Sequence, residues 1–504
     1  MDPDNRRDAR HGERSKMAGA ATAGWWQRTR ARLATDDGTD HFAPDRLDTH
    51  ARALQSALPL LLALLIAFPV NLFMDGDTGW HLGAGHWIVA NRTVPLVDPF
   101  SHTMPGKAWM AHEWLAEVVM VGAEWLRGWG GLAALFALSA AFTFWLLARE
   151  AFRFLPARLA VVAVAVAAGI LLPFALARPH MLAWSLLAWW TVILLRAREA
   201  RAAPPLAAAL LMAVWANLHA SYIVAFGLAG LFGLESLIEN PRNRKLLGQW
   251  IAFGALSLGI AVLATPFGPE HFLYPFQVSG MKALAVIGEW RRSTLPADFM
   301  FYTCLVGLVL LVLKRWRTLP PLRVLLLAGL SVMAILHARH QMLFAIVGLL
   351  VVLPMLDPSR TPRPALKRTT WMVPALALLI AVRLAVPYQF QEHSTYPLSL
   401  LAKVPKEIRR QPVYNEYSQG GPLVMIGVRP YIDGRADMYG DDFTFRAKAI
   451  TAGDIAKFRE DAARYKIGWV VLEYDDALLP KLKREPGWRV FAEDRNATIF
   501  VRAN

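Results

Sequence analysis

Apolar residues fall in helix-length blocks along most of the chain. About eleven blocks of roughly 15–22 residues stand near 52–73, 131–149, 158–177, 181–196, 205–219, 221–238, 246–264, 299–313, 322–337, 341–356 and 369–387. A helix needs ~20 apolar residues to cross a hydrocarbon core, and fewer inside a bundle. The pattern predicts a mostly α fold, a polytopic membrane bundle of about eleven transmembrane helices spanning 51–387. Residues 1–50 mix Arg, Asp and small residues without periodicity, which predicts a disordered cytoplasmic arm with a short interfacial helix around Trp25–Trp26. Beyond 387 the apolar runs shrink to strand length: "GPLVMIGV", "RPYID", "GWVVLEY", "WRVFAED" and "ATIFVRA". Helical patterns at 452–465 and 476–485 intervene, predicting an α/β domain over 388–504.

Two loops break the rhythm. Residues 75–130 are rich in Trp and read as two amphipathic helices, 79–91 and 112–127, lying flat in the headgroup layer and joined by a Pro-rich linker. Residues 265–298 form a second long, aromatic loop.

Charge orients the bundle. The chain of 504 residues is 55% hydrophobic and 18% charged, with a net charge of +15 and a mean hydropathy of +0.32. The excess of Lys and Arg sits in every second loop, as in Arg196/Arg198/Arg201 and Lys314/Arg315/Arg317. That is the positive-inside pattern rather than a nucleic-acid footprint, so no nucleic-acid partner is expected. It puts the N-terminus in the cytoplasm, the loops 75–130 and 265–298 outside, and the C-terminal domain outside after an odd number of spans. The first block is expected to act as an uncleaved signal anchor. The single cysteine, Cys304, cannot make an intrachain disulfide.

The candidate chemistry gathers at the external ends of the blocks. Asp75 and Asp77 flank Gly76 directly after the first block, a spacing that lets two carboxylates share a cation or lets one serve as base while the other tunes it. His112–Glu113 opens the second surface helix. Asp98 reads as a turn former before Pro99. Arg178–Pro179–His180 and Arg339–His340 begin blocks at external ends, against the positive-inside trend. Arg there is suited to gripping phosphate oxygens. Asn217 and His219 end a short block; Asn217 reads either as interhelical glue or as a substrate contact. Glu289 precedes Trp290, whose ring can stack on a sugar, although pairing with Arg291 or Arg292 is the simpler reading of the acid. Asp433–Gly434–Arg435 reads either as a carbohydrate or phosphate contact or, more simply, as a turn closed by its own ion pair. The sequence carries no Walker loop, zinc signature or G-x-S-x-G elbow, so ATP-driven transport, zinc hydrolysis and serine hydrolysis have no support.

The stretches "DGDTGWHLGAGHWIV", "VPLVDPFSHTMPGKAWMAHEWLAEV", "ARPH", "WANLHASY" and "IGEWRRS", with the tail "VYNEYSQGGPL…YIDGRADMYGDDF", resemble the GT-C class of multispanning glycosyltransferases. Similarity is greatest to bacterial proteins like the lipid A aminoarabinose transferases and protein O-mannosyltransferases. The resemblance implies transfer of a sugar from a polyprenyl-phosphate donor, at the outer leaflet of a bacterial inner membrane, to an envelope glycolipid, polysaccharide or protein. It assigns the base to Asp77 in preference to Asp75. It assigns donor-phosphate binding to Arg178 and Arg339 and the shaping of the site to His180, His219 and Glu289; by their own placement His340 joins the donor-phosphate site, and His112, Glu113, Asn217 and Trp290 join the substrate site. Relatives differ in their use of a divalent metal, so Mg or Mn stays open, with Asp77 the first candidate ligand. Many relatives carry paired aromatics where Gly79–Trp80 stands here. A polymerase or ligase of lipid-linked glycans, or a non-catalytic protein of envelope assembly or polysaccharide export, fits the same layout. A secondary transporter predicts internal repeats and midplane polar residues, and neither is evident.

Overall fold

The computed structural model describes residues 50–68, 71–356 and 370–503. The expected arm and the helix around Trp25–Trp26 lie outside these. Each predicted apolar block contains a helix: α1 (Ala51–Ala67), α4 (Trp129–Phe154), α5 (Ala157–Leu171), α6 (Pro179–Glu199), α7 (Leu211–Leu218), α8 (Tyr222–Glu239), α9 (Arg244–Leu263), α11 (Phe299–Arg315), α12 (Pro321–Leu336), α13 (Ala338–Leu356) and α14 (Met372–Ala385). The second loop carries α10 (Pro269–Ser279). Among the described residues six helices are long and apolar enough to cross a membrane, and four further apolar helices are shorter. The chain is thus a multi-pass membrane protein, with one continuous apolar core running through the bundle.

The two faces of the bundle differ. Helix α6 starts just after Arg178 and ends near Arg196 and Glu199, about 30 Å away at 1.5 Å per residue. At the far end Arg153 pairs with Glu150 and Glu199 at 2.7 and 2.9 Å, and Arg196 reaches Glu150 at 2.6 Å. Arg198 and Arg323, both buried, share Glu235 nearby. These charges are paired with one another, as charges withdrawn from water must be. The long loops sit at the other face.

There, α2 (Asp77–Asn91) and α3 (Trp114–Arg127) lie close to the predicted ranges 79–91 and 112–127. Their setting differs from the expected one. Helix α2 is not an exposed surface helix; it is packed between α3 and α15 (Gly420–Met425), with Thr78, Gly79, Trp80, His81, Leu82 and Ala84 buried. The reason is its glycines. A Cβ on Gly79 would stand 2.5 Å from the Gly421 carbonyl carbon, and one on Gly85 would stand 2.4 Å from the Glu117 oxygen. A helix without side chains on two faces accepts two neighbours at backbone distance.

Past α14 the chain forms a small sheet of β1 (Val413–Asn415), β2 (Trp469–Glu473), β3 (Trp488–Glu493) and β4 (Ala497–Arg502), in the order β1-β2-β4-β3. Strand β1 runs parallel to β2, and the other pairs are antiparallel. Helices α16 (Asp441–Thr451) and α17 (Ile455–Arg464) lie in the crossover. Two predicted strands are absent: "GPLVMIGV" begins with helix α15, and "RPYID" is irregular. Short apolar runs cannot be assigned from periodicity alone. Here tertiary packing decides, because Gly421 must approach Gly76 so closely that a Cβ would sit 1.9 Å from its carbonyl oxygen.

The sheet region shares its core with the first external loop. Trp80, Ala84, Trp109 and Ala111 pack in one cluster with Tyr414, Val424, Tyr431 and Ile432. Arg435, 1% exposed, donates to Asp98 at 2.8 Å and to both oxygens of Asp433 at 2.8 and 2.6 Å. Its guanidinium also lies over Trp109, 4.6 Å from the ring centre. The Asp433–Arg435 turn is therefore closed by its own ion pair, and Asp98 turns the chain by accepting from the Phe100 and Ser101 amides.

We expect Gly421→Ala to separate α15 from α2 and to destabilise the protein by about 2 kcal/mol, the usual scale of an overpacked core contact. The check is thermal unfolding in detergent alongside limited proteolysis between residues 388 and 420. An unchanged midpoint and cleavage pattern would contradict this packing.

Candidate active site

A cavity of about 720 Å³ opens between the ends of the bundle helices, the two loops and the sheet region. Every predicted site residue except Asn217 lines it. Part of its wall is apolar, with Ala183, Leu187, Ile223, Val224, Met333 and Leu343, and the rest is ionic.

One ionic cluster centres on Arg178. The Asp75 carboxylate accepts from the Asp77 amide at 2.7 Å, holding the first turn of α2. Thr78 donates to the Ala177 carbonyl at 3.0 Å, and the Ala177 amide donates to Leu72 at 2.8 Å. Those bonds lash the "ARPH" segment to α2. Pro179 starts α6 and leaves Arg178 extended, as a residue before proline tends to be. Its guanidinium then meets Asp75 at 3.2 Å, Asp77 at 2.9 Å and Glu289 at 2.9 Å. Arg339, from the first turn of α13, reaches the other oxygen of Glu289 at 3.1 Å. Glu289 thus pairs with Arg178 and Arg339 and not with Arg291, which is taken by Asp298 at 2.7 Å.

Three carboxylates share two guanidinium groups, and the sharing is unequal. Burial pushes the Asp77 carboxyl up to about 7, and the neighbouring Asp75 and Glu289 charges add to the rise against the pull of Arg178. Burial acts on Glu289 in the same direction, yet Arg178 and Arg339 together outweigh it and bring that carboxyl down to about 2. Asp77 is therefore an acid able to take up a proton near neutral pH, and Glu289 is a fixed anion.

A second cluster lies across the cavity on α2 and α3. Glu113 has His112, His219 and His81 at 3.6–3.7 Å, and His81 also reaches Glu117 at 3.4 Å. Glu117 is fully buried, and burial holds its carboxyl well above the usual range. His81 is pushed down, first by burial. This wall presents imidazoles and carboxyl groups, suited to hydrogen bonding with polar hydroxyl-bearing groups.

Several predicted residues are held differently from the expectation. Asn217 stands behind the cavity: its amide donates to Ala213 and Ala264 at 2.8 and 2.9 Å and accepts from the Trp114 indole at 2.6 Å. Of its two readings, the interhelical tie is the one the geometry bears out. Trp290 is covered by the Arg339 guanidinium, 4.5 Å from its ring centre, with His337 and His340 at its edges. One face of that ring aligns the arginine, and the ring also borders the cavity. His180 is held by the Phe174 carbonyl at 2.9 Å.

Sequence reasoning singled out the Asp433–Gly434–Arg435 turn in the sheet region but assigned none of that region's residues to the site. Tyr417, Ser418, Gly434 and Asp437 close the cavity, and Asp437 accepts from Tyr274 at 2.7 Å. A Cβ on Gly434 would fall 1.8 Å from the Asp77 carboxylate and 2.7 Å from the Trp80 indole nitrogen. The glycine lets the backbone press on the acid itself. Glu117 was legible in principle, because Glu113/Glu117 and Asp77/His81 are both spaced i, i+4 on helix faces.

Among the described residues no group of three or more His, Cys, Asp or Glu side chains is arranged to hold a metal ion. The donor set does not fit one around Asp77 either. Asp75, Asp77 and Glu289 converge on the Arg178 guanidinium, which stands at 2.9–3.2 Å from each.

No family model and no curated protein matches the chain. Solved structures do. The archaeal oligosaccharyltransferase AglB from Archaeoglobus fulgidus, in complex with an inhibitory peptide and a dolichol-phosphate, superposes over 91% of this chain and 75% of its own, with 11% identity and a TM-score of 0.52. The Archaeoglobus fulgidus oligosaccharyltransferase in complex with Zn and sulfate gives 0.53 over 89% of this chain and 73% of its own, again with 11% identity. ArnT from Cupriavidus metallidurans aligns over 90% of this chain and 98% of its own, with 14% identity and a TM-score of 0.36. The chain has the GT-C membrane fold, as its sequence motifs led us to expect.

Proposed function

We propose that this protein is a membrane glycosyltransferase that moves a sugar from a polyprenyl-phosphate donor to a hydroxyl of an envelope acceptor at the outer leaflet. The reading rests chiefly on one observation: a carboxylate raised to about 7 and two arginines share a single cavity wall beside an apolar wall. The likeness of the fold to AglB supports it. The apolar wall suits a lipid chain, Arg178 and Arg339 suit its phosphate, and the Glu113 cluster suits the hydroxyls of a sugar or acceptor.

The reaction balances without further reagents. The acceptor hydroxyl gives its proton to Asp77 as its oxygen bonds to the sugar's anomeric carbon. The bond from that carbon to the phosphate oxygen breaks, and the electron pair leaves with the phosphate. Charge grows on the phosphate as it leaves, next to Arg178 and Arg339, and fixed cations there stabilise the transition state. Attack opposite the phosphate inverts the anomeric centre. The basic ends of the bundle then face the cytoplasm, and the sheet region stands outside.

Membranes carrying the protein, supplied with polyprenyl-phosphate sugars, test this. Asp77→Asn is expected to lower kcat by ~10²–10⁴, the usual yield of a positioned base, with donor KM little changed. Arg178→Lys should lower kcat and raise KM, because a point charge cannot serve several partners as the planar fork does. Full transfer by Asp77→Asn would overturn the assignment.

The pH profile gives an independent check. Asp77 takes the proton only when ionised, so kcat/KM should rise with pH through about 7 and level off above it. Activity lost on acidification should return on neutralisation. A profile flat from pH 5 to 8 would contradict the role of Asp77.

A further inference from the structure

Arg178 and Arg339 do not stand open to a ligand. Both point at one side chain. Arg178 donates to the Glu289 Oε2 at 2.9 Å and to its Oε1 at 3.4 Å, and Arg339 donates to Oε1 at 3.1 Å. The two carboxylate oxygens lie where two oxygens of a phosphate would have to lie to be gripped by both guanidinium groups. Bound phosphate and this Glu289 rotamer exclude one another.

The surroundings allow an exchange. The backbone beside Glu289 is anchored: the Trp290 carbonyl meets the His337 ring at 3.0 Å, the Arg291 carbonyl accepts from Ala338 at 2.9 Å, and Ser293 bonds Ile335 and Ala334. The Glu289 side chain itself is about a quarter exposed, at 26%, and borders the cavity. It can leave by rotating while its loop and both arginines stay in place. Its carboxyl remains ionised at physiological pH, so the competition is permanent.

We propose that Glu289 is a built-in competitor for the phosphate subsite, displaced when donor binds and returning to the arginines to expel the product. The inference rests on the phosphate reading given above. Chemistry gives the competitor a purpose. The donor phosphodiester carries one negative charge, and the product polyprenyl phosphate is a monoester carrying about −1.5 to −2 at pH 7, like other phosphomonoesters. Two unopposed arginines would hold the product more tightly than the substrate. A tethered carboxylate weakens both and speeds release of the more charged species. Glu289 is thereby a positioning residue, acting through Arg178 and Arg339.

The test uses the full chain in nanodiscs with three probes: polyprenyl phosphate, the corresponding polyprenol and inorganic phosphate. Glu289→Gln keeps the shape and removes the charge. It is expected to bind polyprenyl phosphate at least ~10-fold more tightly, with polyprenol binding unchanged; on turnover kcat should fall with KM, with a burst of the first product. Glu289→Ala should tighten binding likewise, guarding against a misfolded Gln variant. Tightening of inorganic phosphate alone, without polyprenyl phosphate, would place the exchange at a free-anion site and overturn the product-release role. Weaker or unchanged phosphate binding in both variants would overturn the exchange, showing that Glu289 merely aligns the arginines. If the wild type fails to prefer polyprenyl phosphate over polyprenol, the phosphate reading fails first, and the exchange with it.

Discussion

One guanidinium organises this site. Arg178 lies within 3.2 Å of Asp75, Asp77 and Glu289, which arrive from α2 and from the loop before α11. Like charges this close repel strongly once water is thinned, so the three acids tolerate each other only around a shared cation. Arg339 tips the balance by adding a second positive charge to Glu289 alone. The acids thereby differ in character. Glu289 is a permanent anion, and Asp77 is poised to gain and lose a proton. Arg178 and Arg339 together hold Glu289 down, whereas Asp77 has Arg178 alone against its burial.

The sheet region is part of this arrangement, not an appendage. Its core includes Trp80 and Trp109 from the first loop, and its buried Arg435 is paired with Asp98. Gly434 brings its backbone against the Asp77 carboxylate, and Gly421 meets Gly76 at the start of α2. Asp441 accepts from the Lys282 and Ala283 amides, so the same region holds the loop that carries Glu289. A large part of what fixes Asp77 and Glu289 therefore lies more than a hundred residues away in the chain.

That explains which features could be read from the sequence. The apolar blocks and the alternation of basic loops yield the helices, because burial in a bilayer depends on local composition. The acids and arginines stood out because charge at a helix end on the wrong face is costly and needs a partner. Which partner each would take was not legible. Glu289 is adjacent in sequence to basic residues and instead pairs with arginines 111 and 50 positions away. The glycines of "SQGGPL" gave no sign of a helix, since only the approach of α2 explains them. Asn217 looked equally suited to substrate or to glue, and the neighbouring Trp114 and Ala264 decide it.

The account depends most on Asp77 acting as the base for glycan transfer. The most direct measurement is a profile of lipid-linked sugars and envelope glycans in cells lacking the protein, complemented with wild type or with Asp77→Asn. The account predicts that a polyprenyl-phosphate sugar accumulates and one envelope glycan loses a residue, in the empty strain and the Asp77→Asn strain alike. Wild-type glycans restored by Asp77→Asn, at equal protein level, would contradict it and turn attention to a non-catalytic role in envelope assembly.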